Sequence, residues 1–418
     1  MTVRITTLPN GLRVATDSMA SVETASVGVW IGVGTRQEAP DVNGVAHLLE
    51  HMAFKGTERR NARQIAEEIE AVGGSMNAQT SREQTAYFVK VLKEDVKLAV
   101  DILADILLHS IYDQAELARE RAVILQELGQ AEDTPDDVIF DHFQEAAFPG
   151  QAIGRPVLGK APIIEKLPRD ALVEFRTRHY GASSMVVTAA GNVDHDAFVE
   201  LTRVAFAKLP PAGDTSYESA RYVGGEFRDD HDLEQVHLAI GFPGVSYADP
   251  DYYASMVLAT LLGGGMSSRL FQEIREARGL AYGVSAYAAP YLDGGVFGVY
   301  AGTGEKETPE LVQVLFEQLA AVREPVPEDE LHRARTQMRA GILMSLESTS
   351  ARMEALGSQL LIYGRPIPVE EMVRKIDAVT ADDVAQVAKR IFSGRPTLAA
   401  LGPLSGLEPY DKLVRRLA

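Results

Sequence analysis

The second half of this 418-residue chain repeats the order of structural signals found in the first half. VHLAIGFPGVSYADPDYYASMVLATLLG aligns with VGVWIGVGTRQEAPDVNGVAHLLEHMAF, so that Ile31 and Gly32 meet Ile240 and Gly241. Nearer the ends, ADDVAQVAKRIFSGRPTLAALGPL matches RDALVEFRTRHYGASSMVVTAAGNV in helix–turn–strand order. A chain of this length exceeds one ordinary core, so the repeat predicts two related domains that arose by duplication. The alternative is a coincidental likeness between two unrelated domains.

Strand and helix signals follow one another within each copy. ASVGVWIGVGT alternates small or polar residues with apolar ones, which is typical of a strand. NARQIAEEIEAVGG has an N-cap at Asn61 and ends in Gly-Gly, which predicts a helix. We therefore predict an α+β fold class with two homologous domains, each an antiparallel-rich sheet packed with helices.

The composition and the periodicity of the sequence change after Leu209. PPAGDTSYESARYVGGEFRDDHD is rich in Pro, Gly and Asp and has no periodicity, as expected of an interdomain linker. We predict an N-terminal domain at 1–212, a linker at 213–232 and a C-terminal domain at 233–418.

Composition limits the chemistry and the partners. The sequence has no cysteine, which excludes disulfides, thiolate zinc sites and cysteine nucleophiles. A net charge of −18 argues against nucleic acid or an anionic membrane as partner and suits a basic peptide, although acidic solvated surfaces are also common. No apolar run reaches the roughly 18 residues that span a bilayer, and no signal peptide is evident, so we expect a cytoplasmic location.

Two of the nine histidines occur in the pentapeptide HLLEH, residues 47–51. Positions i and i+4 of a helix share a face, roughly 6 Å apart, so His47 and His51 can reach one metal ion. Glu50 borders that face, in the inverted zincin order H-x-x-E-H. The aligned positions of the second copy are Met256, Ala259 and Thr260, so only the first copy predicts a metal centre. The alternative is a partly exposed helix with ordinary histidines.

A third ligand is predicted in ARERAVILQELGQ. Glu120 and Glu127 lie seven residues apart, two turns along one face of an otherwise apolar helix. One could bind zinc while the other accepts a hydrogen bond from the free ring nitrogen of a ligand histidine. A solvated helix face is the alternative.

Three motifs carry a resemblance to a known family. HLLEHMAFKGT, GGSMNAQTSREQTAYF and ERAVILQELGQAEDTPDD together resemble the pitrilysin/insulinase family of inverted-motif zinc metallopeptidases, closest to the mitochondrial processing peptidase β subunit and its short bacterial homologues. The resemblance covers essentially the whole chain and implies a processing-peptidase-like metallohydrolase fold, half of a clamshell. It implies one Zn²⁺ per chain with the following roles: ligands His47, His51 and Glu127, outer-shell acid Glu120 and general base Glu50.

The resemblance also implies substrate-binding residues. Asn77 and Ala78 match the family's edge strand, to which a peptide adds as an extra strand. In IREARGLAYGVSA, Arg275 and Tyr282 match a motif that binds substrate oxygens and stabilises the tetrahedral intermediate. The alternatives are an ordinary turn and strand for the first pair, and a surface Arg with a core Tyr for the second.

The function implied by the resemblance is that of a zinc-dependent endopeptidase. It would hydrolyse peptides or presequence-like unfolded segments inside a dimeric chamber, with water activated by zinc and Glu50 as general base. The partner would be an identical chain or a related inactive subunit, and Arg275 and Tyr282 could serve either the same chain's zinc centre or the partner's. Two alternatives are a non-catalytic core or partner subunit of the same fold, and a hydrolase of another small substrate.

Overall fold

The structure, a computed structural model, describes residues 3–416. Its strands, numbered in chain order, are β1 (Val3–Thr7), β2 (Arg13–Ser18), β3 (Thr24–Ile31), β4 (Ser75–Thr80), β5 (Thr85–Leu92), β6 (Met185–Gly191), β7 (Gly225–Asp230), β8 (Val236–Pro243), β9 (Ala281–Pro290), β10 (Gly295–Thr303) and β11 (Thr397–Gly402). Its helices are α1 (Val45–Ala53), α2 (Ala62–Glu70), α3 (Val96–Leu108), α4 (Gln114–Glu132), α5 (Pro135–Ala147), α6 (Ala161–Ile164), α7 (Arg169–His179), α8 (His195–Ala205), α9 (Tyr252–Gly263), α10 (Thr308–Ala321), α11 (Glu328–Ser345), α12 (Thr349–Tyr363), α13 (Val369–Asp377), α14 (Ala381–Phe392) and α15 (Tyr410–Arg415).

The chain forms two compact units. Unit 1 contains the chain up to Gly129, Arg155–Glu218 and Met344–Pro368, and unit 2 contains the remaining segments. The sheet of unit 1 has the strand order β1-β2-β6-β3-β5-β4, and that of unit 2 has the order β7-β11-β8-β10-β9. From β2 and from β7 onward the two orders correspond strand for strand, and in each sheet only the first of these pairs, β2·β6 or β7·β11, is parallel. This correspondence is what the sequence repeat predicts.

Strand β3 shows why the sheet of unit 1 is buried on both faces. Its alternate residues Val27 and Val29 belong to the main core with α1 and α3, while Trp30 belongs to a second cluster with α12. The indole N–H of Trp30 donates to the hydroxyl of Thr188 at 2.9 Å. A Cβ at Gly357 of α12 would collide with the Trp30 ring, so glycine allows this helix to approach the strand.

The two halves of the sequence exchange one helix each. Helix α12, from the C-terminal half, covers the second face of the unit 1 sheet, and α5, from the N-terminal half, covers a face of the unit 2 sheet. Each sheet presents apolar side chains on two faces, and the helices of its own half cover only one of them. The packing units therefore differ from the contiguous stretches 1–212 and 233–418.

Part of the predicted linker is also a strand. Gly225–Asp230 forms β7, which pairs in parallel with β11 at the edge of the unit 2 sheet. Because edge strands expose much of their surface, GEFRDD carries little apolar alternation to reveal it.

The predicted cap of α2 is confirmed, since the Asn61 side chain accepts the backbone N–H of Gln64 at 2.9 Å. No helix within residues 3–416 is long and apolar enough to cross a bilayer.

Candidate metal centre

Helix α1 carries the HLLEH motif, and its apolar face packs into the core of unit 1. Val45, Leu48, Leu49 and Met52 are all buried in the core of unit 1. The residue before the helix, Gly44, has φ +96°, and a Cβ there would collide with Ile164. The core contacts and this glycine together fix the face on which the two histidines stand.

A buried carboxylate fixes the start of α1. The side chain of Glu38 accepts hydrogen bonds from the backbone N–H of Gly44 at 2.9 Å, the backbone N–H of Ala46 at 2.8 Å and the side-chain amide of Asn43 at 2.8 Å. Burial raises the pKa of Glu38 to about 7, although these three donors oppose the rise. Glu38 therefore takes the place of a cap that Gly44 has no side chain to provide.

The two motif histidines face each other across one helical turn. Their ring centroids are 4.6 Å apart and the ring planes cross at 64°. Burial, with a smaller contribution from His51, lowers the pKa of His47 to about 4, so its imidazole is neutral at physiological pH. Neutral imidazole is the form that binds metal ions. The Nδ1 atom of His47 is buried and has no hydrogen-bond partner within the described part of the chain.

Helix α4 brings two carboxylates to these histidines. An oxygen of Glu127 lies 3.7 Å from Nε2 of His51, and potential ligand atoms of His47, His51 and Glu127 all lie within 4.8 Å of one another. Zinc bonds of about 2.0–2.2 Å place the ligands of one ion within about 4 Å of each other, so the group is close to the required spacing. Two imidazoles and a carboxylate are also a ligand set that zinc accepts.

Glu120 contacts the other side of His51. One of its oxygens lies 3.1 Å from Nδ1 of His51, and the second lies 2.7 Å from the ammonium nitrogen of Lys55. A carboxylate oxygen accepts hydrogen bonds, so Nδ1 of His51 is the donor in this contact. Nε2 is the ring atom that faces Glu127, so the contact with Glu120 orients the ring with Nε2 toward the other ligand candidates.

Glu50 is buried beside the three ligand candidates. Burial raises the pKa of Glu50, the nearby Glu127 raises it further, and a hydrogen bond from the Thr80 hydroxyl opposes the rise. Thr80 is the last residue of β4, the strand that carries Asn77 and Ala78. The structure thus connects the predicted base directly to the predicted substrate strand.

Strand β4 lies at one edge of the unit 1 sheet. It pairs with β5 on one side, with Asn77 opposite Phe88 and Ala78 opposite Tyr87, and has no strand on the other side in the described sheet. Asn77 is exposed and its side-chain oxygen accepts the N–H of Ala78. An edge of this kind is available for pairing with an extended peptide.

Arg275 and Tyr282 both belong to unit 2. Arg275 lies in a π-helix, Phe271–Glu276, and its guanidinium carbon is 4.7 Å from the ring centroid of Phe271 and 4.8 Å from that of Tyr282. Tyr282 is 81% exposed. The alternative interpretation, in which this residue is a core tyrosine, is therefore wrong. The structure brings the two motif residues together as a cation–π pair.

Comparison with known proteins identifies the family. Residues 13–161 match Insulinase (Peptidase family M16), and residues 166–338 match Peptidase M16 inactive domain. A Rickettsia bellii protein named "Uncharacterized zinc protease" is 41% identical over 405 residues, which cover 96% of this chain and 98% of that protein. The chain belongs to peptidase family M16.

Further similarities agree with this M16 assignment. The protein named "Probable mitochondrial-processing peptidase subunit beta, mitochondrial" of Arabidopsis thaliana is 42% identical over 429 residues, which cover 99% of this chain and 81% of that protein. The crystal structure of a Helicobacter pylori protease superposes with a TM-score of 0.88 at 23% identity, covering 96% of this chain and 99% of that one. The predicted family resemblance and the α+β fold class are confirmed, and the names of the relatives support zinc as the metal.

Lys55 and Thr80 contact residues of the candidate site in this M16 chain, and Glu38 supports the helix that carries its histidines. Lys55 pairs with Glu120, Thr80 donates to Glu50, and Glu38 caps α1. Lys55 follows His51 by four residues, which is a usable local signal. Thr80 and Glu38 act across turns of the chain, so spacing alone does not reveal them.

Proposed function

We propose that this chain is a zinc-dependent endopeptidase in which His47, His51 and Glu127 hold one zinc ion per chain. The observation that carries the proposal is the convergence of their ligand atoms within 4.8 Å, beside a buried glutamate. The unpartnered Nδ1 of His47, the neutral state of that ring and the contact of His51 Nδ1 with Glu120 all fit a cation held from several sides.

Glu50 is the general base in this proposal. When bound, zinc supplies Lewis acidity, which polarises a peptide carbonyl and makes water a stronger nucleophile near neutral pH. Thr80 occupies Oε2 of Glu50, so Oε1 remains to accept the proton of the attacking water and to pass it to the leaving amine. The raised pKa of Glu50 makes it a better proton acceptor than an exposed glutamate.

The substrate is an extended peptide that pairs with the free edge of β4. Backbone pairing along Asn77 and Ala78 would lead the chain toward Thr80, and hence toward Glu50. Main-chain pairing does not depend on side chains, so it suits unfolded or presequence-like segments. The net charge of −18 favours peptides with basic stretches.

The active assembly in this proposal is a dimer that encloses the substrate, either of two identical chains or with a related inactive subunit. Arg275 binds substrate oxygens and Tyr282 stabilises the tetrahedral intermediate, within the chain or across the dimer.

Mixing inactive Glu50→Gln chains with Tyr282→Phe chains separates the two placements. Recovered activity shows that Tyr282 acts on the partner's site, and its absence in demonstrated mixed dimers shows that it acts within the chain.

The decisive experiment compares wild type with Glu50→Gln. We expect both to bind one zinc per chain. We expect only the wild type to cleave a mixed pool of peptides, with the products identified by mass spectrometry. The control Glu94→Gln removes an exposed carboxylate of the same unit and should cleave normally. Zinc binding without cleavage by wild type would instead favour a non-catalytic subunit, and a peptide-length series would reveal a preference for small substrates.

A further inference from the structure

The carboxylate of Glu120 is shared between a metal ligand and a lysine. Its side chain is only 5% exposed, with one oxygen 3.1 Å from His51 Nδ1 and the other 2.7 Å from the Lys55 ammonium. A buried carboxylate is stable only when both oxygens have partners. The N–H of His51 satisfies one oxygen, and Lys55 supplies the partner, and the charge, for the other.

The turn that carries Lys55 is held in place on both sides. The N–H of Lys55 donates to the carbonyl of Met52, and the Ser110 hydroxyl donates to the carbonyls of Met52 and Gly56. Gly56 has φ +126°, a backbone conformation that favours glycine directly after Lys55. The backbone of Lys55 is therefore fixed by the fold, which leaves its side chain directed at Glu120.

The positive charge of Lys55 also offsets part of the negative charge that the neighbouring carboxyl groups bring to the site. Glu50, Glu120 and Glu127 place three carboxyl groups around the two imidazoles, and a bound divalent ion would offset the charge of two of them. Lys55 balances the third. Without Lys55, the outer oxygen of Glu120 would be buried without a donor, and rotation of the carboxylate toward water would remove the acceptor from His51.

We infer that Lys55 is a positioning residue of the metal centre, which clamps Glu120 so that Glu120 holds His51 in the metal-binding orientation. The inference rests on the proposed zinc site and adds a specific residue to it. Lys55 acts through Glu120, so its effect must disappear when Glu120 no longer presents a carboxylate. This dependence distinguishes a clamp from a residue that merely stabilises the fold.

The test is a double-mutant cycle on zinc affinity. Zinc dissociation constants are measured by competition with a chromogenic chelator for wild type, Lys55→Met, Lys55→Arg, Glu120→Gln and the double variant Lys55→Met/Glu120→Gln. We expect Lys55→Met to weaken binding about tenfold, within the range of lost outer-shell contacts. Lys55→Arg, which keeps the charge and the donors, should remain within about threefold of wild type.

Two further comparisons make the result decisive. In the Glu120→Gln background, Lys55→Met should change the affinity by less than about threefold. The control Lys93→Met removes an ion pair of the same 2.7 Å length, Lys93–Glu23, from the surface of unit 1 and should bind zinc as wild type does.

Each outcome supports or overturns a stated step. Lys55→Met binding as tightly as wild type, or more tightly because a positive charge has gone, overturns the clamp. An equal loss in the Glu120→Gln background overturns its action through Glu120. Wild-type protein that fails to bind stoichiometric zinc overturns the proposed zinc site itself, so the two failures are distinguishable.

Discussion

Replacing Glu38 by glutamine should change how the stability of the fold depends on pH. The pKa of Glu38 is raised from 4.5 to about 7 by burial at the start of α1, so between these values the folded state holds a proton that the unfolded state releases. The resulting stabilisation is fully present below pH 4.5 and is lost as pH rises through 7. At about 1.4 kcal/mol per pKa unit, wild type should lose about 2.5 kcal/mol between pH 5 and pH 8 through this one group.

The assay is the melting temperature of metal-free wild type and Glu38→Gln across pH 5–8. Glutamine does not titrate, and the cost of turning an amide group toward the N–H donors of α1 is the same at every pH. For a unit of about 200 residues, 1 kcal/mol corresponds to about 2–4 °C. The advantage of wild type over the variant should therefore shrink by about 5–10 °C from pH 5 to pH 8.

The opposite trend would contradict a raised pKa of Glu38 in the folded protein. An advantage of wild type that grows with pH would mean that the N–H groups of Gly44 and Ala46, with the Asn43 amide, outweigh burial and hold Glu38 ionised. A difference that is nearly constant across this range would contradict it as well, because Glu38 would then be ionised from pH 5 upward in the folded chain as in the unfolded chain, with a pKa that is not raised.

Three further predictions concern the site and the fold. Glu127→Ala should lose stoichiometric zinc and peptidase activity together, as measured by metal analysis and peptide cleavage, whereas chelated wild type should recover activity when zinc is restored. Thr80→Val should keep zinc but lower kcat about tenfold or more, because a hydrogen bond to a charged group contributes about 1.5–3 kcal/mol. Loss of the Thr80 donor should raise the pKa of Glu50 further and move the acidic limb of the rate profile to higher pH. Gly357→Ala should destabilise the protein by about 1–3 kcal/mol in thermal unfolding because its Cβ meets Trp30, while Gly341→Ala, a helical glycine with open space, should be neutral or stabilising.

The elements that the sequence predicts best are those with local signals. Asn61 marks the start of α2, and the repeat of strand and helix patterns predicts two sheets of corresponding order. The four-residue spacing of His47 and His51 places both rings on one face because helix geometry fixes it. Glu127 comes from a distant helix, and the family resemblance selected it where spacing left Glu120 and Glu127 as alternatives.

The features that sequence reasoning missed depend on contacts between distant segments. Trp30 meets Met353 and Gly357 across more than three hundred residues, and no local pattern shows that α12 belongs with the first sheet. Thr80 sits at the end of a strand that alternates half-buried and exposed residues, and only the folded sheet brings it to Glu50. The sequence of β7 does not predict a strand because its residues are mostly polar.

A crystal structure of the zinc-loaded protein, with anomalous scattering collected at the zinc absorption edge, would show whether His47, His51 and Glu127 hold the ion. We expect one strong peak per chain, in bonding contact with His47, His51 and Glu127, with Glu50 beside it and outside the ligand set. A zinc ion bound elsewhere on the chain, or these three side chains unoccupied in protein saturated with zinc, would contradict it.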